Sequence, residues 1–188
     1  MHKIILVFIP FLIIFNYQCY LPPSQESQNK DFDKFTTLIE TSDRILDLKY
    51  LDEEIQFEVE DVKYISFKFL VEKKLKGSSE INDEIFVTFE KKIFDNFFTN
   101  NKSEKLEINI YTDYTFFLRG RAKKNIFPKI LGGSLWFTNG TPSIYITNSS
   151  NIEIVSRIDS LKDLSSEFQN INSLNKIKFH EIIYSHNK

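Results

Sequence analysis

Between Tyr64 and Phe89 the sequence keeps a two-residue period that only an extended backbone uses. Ile65, Phe67, Phe69 and Val71 alternate with Ser66, Lys68 and Glu72, and Leu70 alone breaks the polar face. Successive side chains of a strand point to opposite faces, so the pattern predicts a strand buried on one side. Leu75-Lys76-Gly77 ends the run, and Gly77 opens a polar turn. Ile85, Val87 and Phe89 then repeat the period. An antiparallel pair near the centre of an all-β domain is expected, with Phe69, Val71, Ile85, Val87 and Phe117 facing one core.

Composition narrows the class without naming a chemistry. Hydrophobic residues are 41% of the 188, enough for one domain with a core once a leader is set aside. Nineteen Phe stand against a single alanine, Ala122, amid many Ile, Asn and Lys. That skew is a coding bias, so the aromatic count is not a functional signal. Net charge is -2, and loss of Lys3 with a leader makes it -3. Such a balance does not steer the chain to nucleic acid or to an anionic membrane. One cysteine excludes an internal disulfide framework and a cysteine-based zinc cluster.

The amino terminus carries an address. Met1-His2-Lys3 is a short positive start, and Ile4 to Phe15 is apolar throughout, with Pro10 inside it. Twelve residues span about 18 Å as helix, short of a bilayer core, so the run reads as a secretory signal. The only cysteine, Cys19, follows in Asn16-Tyr17-Gln18-Cys19. This arrangement resembles a bacterial lipoprotein leader. Gln18 stands where the usual box has a small residue, which is closer to the looser boxes of spirochaete lipoproteins. The resemblance implies removal of residues 1–18, acylation of Cys19, and anchoring in the bacterial cell envelope, at the outer membrane or periplasmic face. The other reading is a chance free cysteine after a leader or an uncleaved anchor. Residues 19–30, with Pro22-Pro23, then read as a tether, and residues 31–188 as one domain.

Along that domain, Phe32, Phe35, Leu38 and Ile39 predict a helix over 31–41 with Asp31 as its N-cap. Ile45 to Leu51 reads as a strand, Asp52-Glu53-Glu54 as a turn, and Ile55 to Val59 as a strand that bends at Asp61. Phe94, Phe97 and Phe98 share a helical face. Strands are expected at Leu106 to Tyr111 and Tyr114 to Leu118. Leu135 to Phe137 and Ser143 to Thr147 flank Asn139-Gly140, a hairpin signal. Ile152 to Val155 follows as a strand. A helix is expected from Ser160, with Asp163 completing its cap. Ile177 to Tyr184 suits either strand or helix.

The order of elements, with Val71-Glu72-Lys73-Lys74-Leu75-Lys76-Gly77 and later Tyr114-Thr115-Phe116-Phe117-Leu118, resembles bacterial envelope domains with a V-x-x-x-LKG and YxxFL pattern. Those resemble in turn the OB-type barrel of the tissue-inhibitor and netrin group. The likeness covers roughly Lys34 to Arg157. It implies a mainly β fold, a small OB-like antiparallel barrel with short flanking helices at both ends. The inhibitors of that group reach a protease zinc through a disulfide-bonded N-terminal cysteine. Cys19 has no disulfide partner, and acylation would block its metal contact, so that function does not carry over.

Candidate chemistry is sparse. His2 leaves with the leader, and His180 and His186 lack a carboxylate or cysteine beside them in sequence, so they read as surface or packing residues. No G-x-S-x-G, P-loop or G-x-G-x-x-G occurs. Asp52, Glu53, Glu54, Glu58, Glu60 and Asp61 read as a solvated acidic rim without calcium-loop spacing. The best binding feature is the basic stretch Arg119, Arg121, Lys123, Lys124 and Lys129 around Phe127, suited to an anionic ligand or an acidic partner. The expectation is a non-catalytic binding module, not an enzyme, with no cofactor and no metal. It meets the membrane through acyl chains on Cys19, and an envelope protein or anionic ligand through the basic stretch, not nucleic acid. The alternative is a structural or assembly factor of the envelope that acts by protein–protein contact.

Overall fold

The computed structural model of the chain describes residues 32, 34–99, 108, 110–121, 135–140, 142–147, 151–155 and 165–187. In chain order its elements are α1 (Phe35–Thr41), β1 (Arg44–Val59), β2 (Val62–Lys76), β3 (Glu84–Glu90), α2 (Lys91–Thr99), β4 (Asp113–Arg121), β5 (Leu135–Thr138), β6 (Ile144–Ile146), β7 (Glu153–Val155), α3 (Ser166–Ile171) and α4 (Lys176–Ser185). The described chain is mainly β.

The alternation of β2 and β3 is used as the sequence predicts. Ile65, Phe67, Phe69 and Val71 share one core with Ile85, Val87 and Phe89 across an antiparallel pairing. β2 also pairs antiparallel with β1, and β1 with β4. β4 pairs antiparallel with β5, and β5 lies parallel to β3. The sequence β1-β2-β3-β5-β4 thus returns to β1 as a partial ring of five strands. One of its pairings is parallel, so the strands are not all antiparallel as expected.

Three local expectations change. The acidic cluster Asp52-Glu53-Glu54 is not a turn: β1 runs unbroken through it for 16 residues. Tyr50 pairs with Phe69 and Glu54 with Phe67, so three residues of β1 bulge opposite Lys68. Asp52 has φ 57, which gives the bulge its bend. The reversal comes at Glu60-Asp61, both at positive φ as a type I′ turn requires. The Asn139-Gly140 signal does not make a hairpin. Leu118 pairs with Thr138 of β5 and Phe116 with Ile144 of β6, both on the edge of β4 away from β1. β5 and β6 therefore lie end to end along one strand, and Asn139-Gly140 only interrupts them. The buried Asn139 explains why: its amide donates to Thr41 Oγ1 and Ser42 Oγ at the end of α1. Ile110 and Tyr111 lie in a turn, not at the end of a strand.

The helices also shift. α1 begins at Phe35 without a side-chain cap, and Asp31 lies outside the described residues. α3 begins at Ser166, and the expected cap at Ser160 and Asp163 lies outside them as well. The ambiguous 177–184 segment is helical, because Asn175 caps α4 by accepting from the Lys178 amide.

A second core lies on the other face of the sheet. Phe35, Leu38 and Ile39 of α1, Phe168 and Ile171 of α3, and Phe179 and Ile183 of α4 cover Ile45, Phe117 and Tyr145. Phe117 belongs here and not to the core of Phe69, contrary to expectation. Its neighbours Phe116 and Leu118 face the ring interior. β4 is buried on both faces, so its apolar run Tyr114 to Leu118 carries no alternation to read. α1, α3 and α4, which flank the strands at both ends of the chain as expected, form one layer.

Candidate functional site

The helical layer does not meet the sheet through apolar contact alone. Asp47, on β1, is 2% exposed and points at the layer. Thr115, on the adjacent β4, donates its hydroxyl to Asp47 Oδ1 at 2.6 Å. From α4, His180 brings Nε2 to 3.2 Å of Asp47 Oδ2, without hydrogen-bond alignment. Lys176, one turn earlier, reaches the same oxygen at 3.8 Å and Asp113 Oδ2 at 3.5 Å. Residues four apart on a helix share a face, which sets both side chains over one carboxylate.

Lys73 completes the group because of a bulge. Asp47 pairs with Lys73 but Leu48 with Val71, so Glu72 is an extra residue on β2. The slip turns Lys73 onto the face of Asp47, and its ammonium lies 3.2 Å from His180 Nδ1. An ammonium only donates, so Nδ1 is the acceptor in this contact. Asp47 is the buried charge of this group, and a buried charge persists only when it is paired and hydrogen-bonded.

A cleft of about 410 Å³ opens above this cluster, with Asp47, Lys73, Lys176 and His180 in its wall and Ile177 and Tyr184 at its rim. Ile177 is 71% exposed and Tyr184 42%. Burial, helped by the charge of Asp47, raises the Tyr184 hydroxyl above its usual range. The chemistry is that of a clamp. A nucleophilic triad needs the hydroxyl on the imidazole, whereas here it bonds the far oxygen of the carboxylate. The sequence reading missed His180 as anything beyond surface or packing. Its partner Asp47 is 133 residues away, and only the second shared position, Lys176 one turn before His180, hinted at a common face.

The basic stretch is elsewhere. β4 continues through Arg121, so Arg119-Gly120-Arg121 form a strand end, not a loop. Gly120 has φ 73 at a bulge against β5, and its amide donates to Asp43 Oδ2 at 2.7 Å. Arg119 is exposed. The side chain of Arg121, and Lys123, Lys124, Phe127 and Lys129 entirely, lie outside the described residues, as does Cys19. The structure does not bring Arg119 to the Asp47 cleft. Phe94 packs on Phe67 and Phe89 at ring distances of 5.0 and 5.5 Å, while the side chains of Phe97 and Phe98 lie outside the described residues. Among the described residues no helix is long and apolar enough to cross a membrane, and no group of three or more His, Cys, Asp or Glu is placed to hold a metal.

No protein-family model matches the chain, and no curated protein matches it.

Proposed function

We propose that this chain is a lipid-anchored envelope protein whose five-stranded ring is an OB-type barrel serving as a non-catalytic binding module. A set of strands that returns on itself is what such a barrel requires. OB-type barrels bind through the β1–β2 and β4–β5 connections. The observation that carries the reading is that the basic run leaves β4 at Arg121 and ends before β5 at Leu135, so it is the β4–β5 connection. Its cations suit a phosphate or carboxylate, on a small ligand or an acidic protein. The leader and Cys19 support the anchoring.

The test uses the full chain purified from detergent-solubilised membranes. Labelling with a palmitate analogue marks the wild type and not Cys19→Ser; equal labelling removes the anchor from the reading. Combined Arg119→Ser, Arg121→Ser and Lys124→Ser leaves the circular dichroism spectrum unchanged and abolishes binding that in the wild type weakens with salt. Undiminished binding by the folded variant rules out this connection. Recovery of an envelope complex, with no saturable small anion, assigns the alternative role of assembly factor.

A further inference from the structure

Pairing of β1 with β4 stops at Lys49 and Asp113, but β1 runs on to Val59. Beyond Lys49 no strand among the described residues covers its outer edge. The register shows which backbone groups that leaves open. Val59 pairs with Val62 across the two-residue turn, and such a turn closes on a pair whose N–H and C=O groups face each other. Hydrogen-bonding direction alternates along an antiparallel strand. Val59, Phe57 and Ile55 therefore bond inward to β2, and the backbone groups of Glu58, Gln56 and Glu54 point outward.

The two faces of this edge differ. On one, Glu54, Gln56 and Glu58 are exposed, with Asp52, Glu60 and Asp61 close in sequence and also exposed. The nearby cations are Lys49 and Lys63, the latter opposite Glu58. On the other face, Ile55, Phe57 and Val59 are half-buried and extend the cluster of Tyr64, Phe86 and Phe137. A strand added to this edge would need basic residues on one face and apolar residues on the other, in strict alternation. A second copy does not fit, since pairing edge to edge would set the acidic rows against each other.

We infer that the outer edge of β1 from Glu54 to Glu58 is a docking site for an extended segment of a partner protein, with Lys or Arg alternating with apolar residues, added as a further strand. Backbone hydrogen bonds supply the attachment in this mode and the alternate side chains supply selectivity. An open edge is otherwise a hazard that proteins guard with charge. The acidic row here rejects neutral and acidic strands while attracting a basic one. The inference stands apart from the OB-type reading and from the basic connection.

The probe is an acetylated, fluorescein-labelled nonapeptide alternating lysine and valine, added to the full chain in detergent. Saturable binding at low ionic strength is expected, with new amide-exchange protection at Glu54, Gln56 and Glu58. Binding weakens about tenfold near 0.5 M salt, where the screening length falls to a few ångströms. A peptide of the same composition with its lysines in one block binds about tenfold more weakly, because it lacks the alternation of a strand. Gln56→Pro removes one outward donor and spares the β2 ladder, so the folded variant loses binding of the alternating peptide. The proposal is overturned by absence of saturable binding, by equal binding of the two peptides, by no added protection at those three amides, or by undiminished binding to folded Gln56→Pro.

Discussion

Gly77 shows how a short motif acts through one atom. It has φ +95, and a Cβ there would lie 2.7 Å from Arg44 Cγ and 2.8 Å from Asp43 O. Arg44 is held in that position. Its guanidinium lies 4.0 Å from the Trp136 ring centre, Nη2 donates to Ser78 Oγ at 3.1 Å, and Nη1 donates to Ser79 Oγ. The leucine-lysine-glycine run thus ends in the one residue type that fits beside β1. Lys76, just before it, donates to the carbonyls of Ile39 and Glu40 at the end of α1, and burial lowers its pKa. Gly77→Ala is expected to cost about 1–3 kcal/mol from backbone strain alone. The check is the urea midpoint at unchanged m-value, and a midpoint equal to wild type contradicts the close approach.

At the scale of elements, α4 is fixed by two different kinds of contact. Phe179 is fully buried among Phe35, Phe117 and Tyr145, with the nearest ring centres 5.1 Å away. A few residues off, Asp47 holds His180 and Lys176. Asn187 and Tyr184 add bonds to the carbonyls of Leu75 and Lys74. The charged cluster chooses where along the sheet the helix sits, since apolar surface alone tolerates sliding. Asp47→Ala is expected to cost about 1–3 kcal/mol, because it leaves the buried Thr115 hydroxyl and the buried His180 ring without their carboxylate. Amide exchange should rise first in Lys176–Ser185. A global loss of protection with α4 no more affected than β3 would show that the cluster does not govern this helix.

For the molecule as a whole, two cores and a smaller cluster around Tyr64 share one sheet, whose strands carry Tyr50, Tyr64, Tyr114 and Tyr145. Full burial holds the Tyr145 hydroxyl well above its ordinary range, and it donates to the Pro142 carbonyl at 3.2 Å. Burial also raises Tyr50 and Tyr64, with smaller help from acidic neighbours. A raised phenol pKa means that the unfolded chain releases its proton first. The associated stability is complete below about pH 10 and is lost as pH rises beyond it. Unfolding free energy from urea titrations should therefore fall steeply above that pH. Tyr145→Phe should lower stability near pH 8 by about 1 kcal/mol through the lost hydrogen bond, and flatten the alkaline slope. An equally steep slope in the variant would assign the alkaline transition to other groups.

Where one face of an element is wet, its residues were readable in order. α1 showed its buried stripe of Phe35, Leu38 and Ile39 for that reason. β2 and β3 are largely covered on both faces, and they alternate because their second face holds the buried polar pair Ser66 and Thr88. β4 is covered on both faces mainly by apolar residues, so Phe117 could not be assigned a core from its spacing. Bulges were equally silent. An extra residue at Glu72 or at Leu51-Asp52-Glu53 changes which face a side chain occupies, yet depends on the partner strand, and polar residues there resemble a turn. Asn139-Gly140 carried a sound local signal, but the neighbouring edge of β4 and the end of α1 decided what it joined. The clamp of Asp47, Thr115, Lys73 and His180 draws on three strands and a helix, so no window of sequence contains it. Local composition sets which stretches are extended or helical, because those choices rest on neighbouring residues. The pairing of distant strands sets which polar groups meet, because a buried charge takes its partner from whatever element the fold lays beside it.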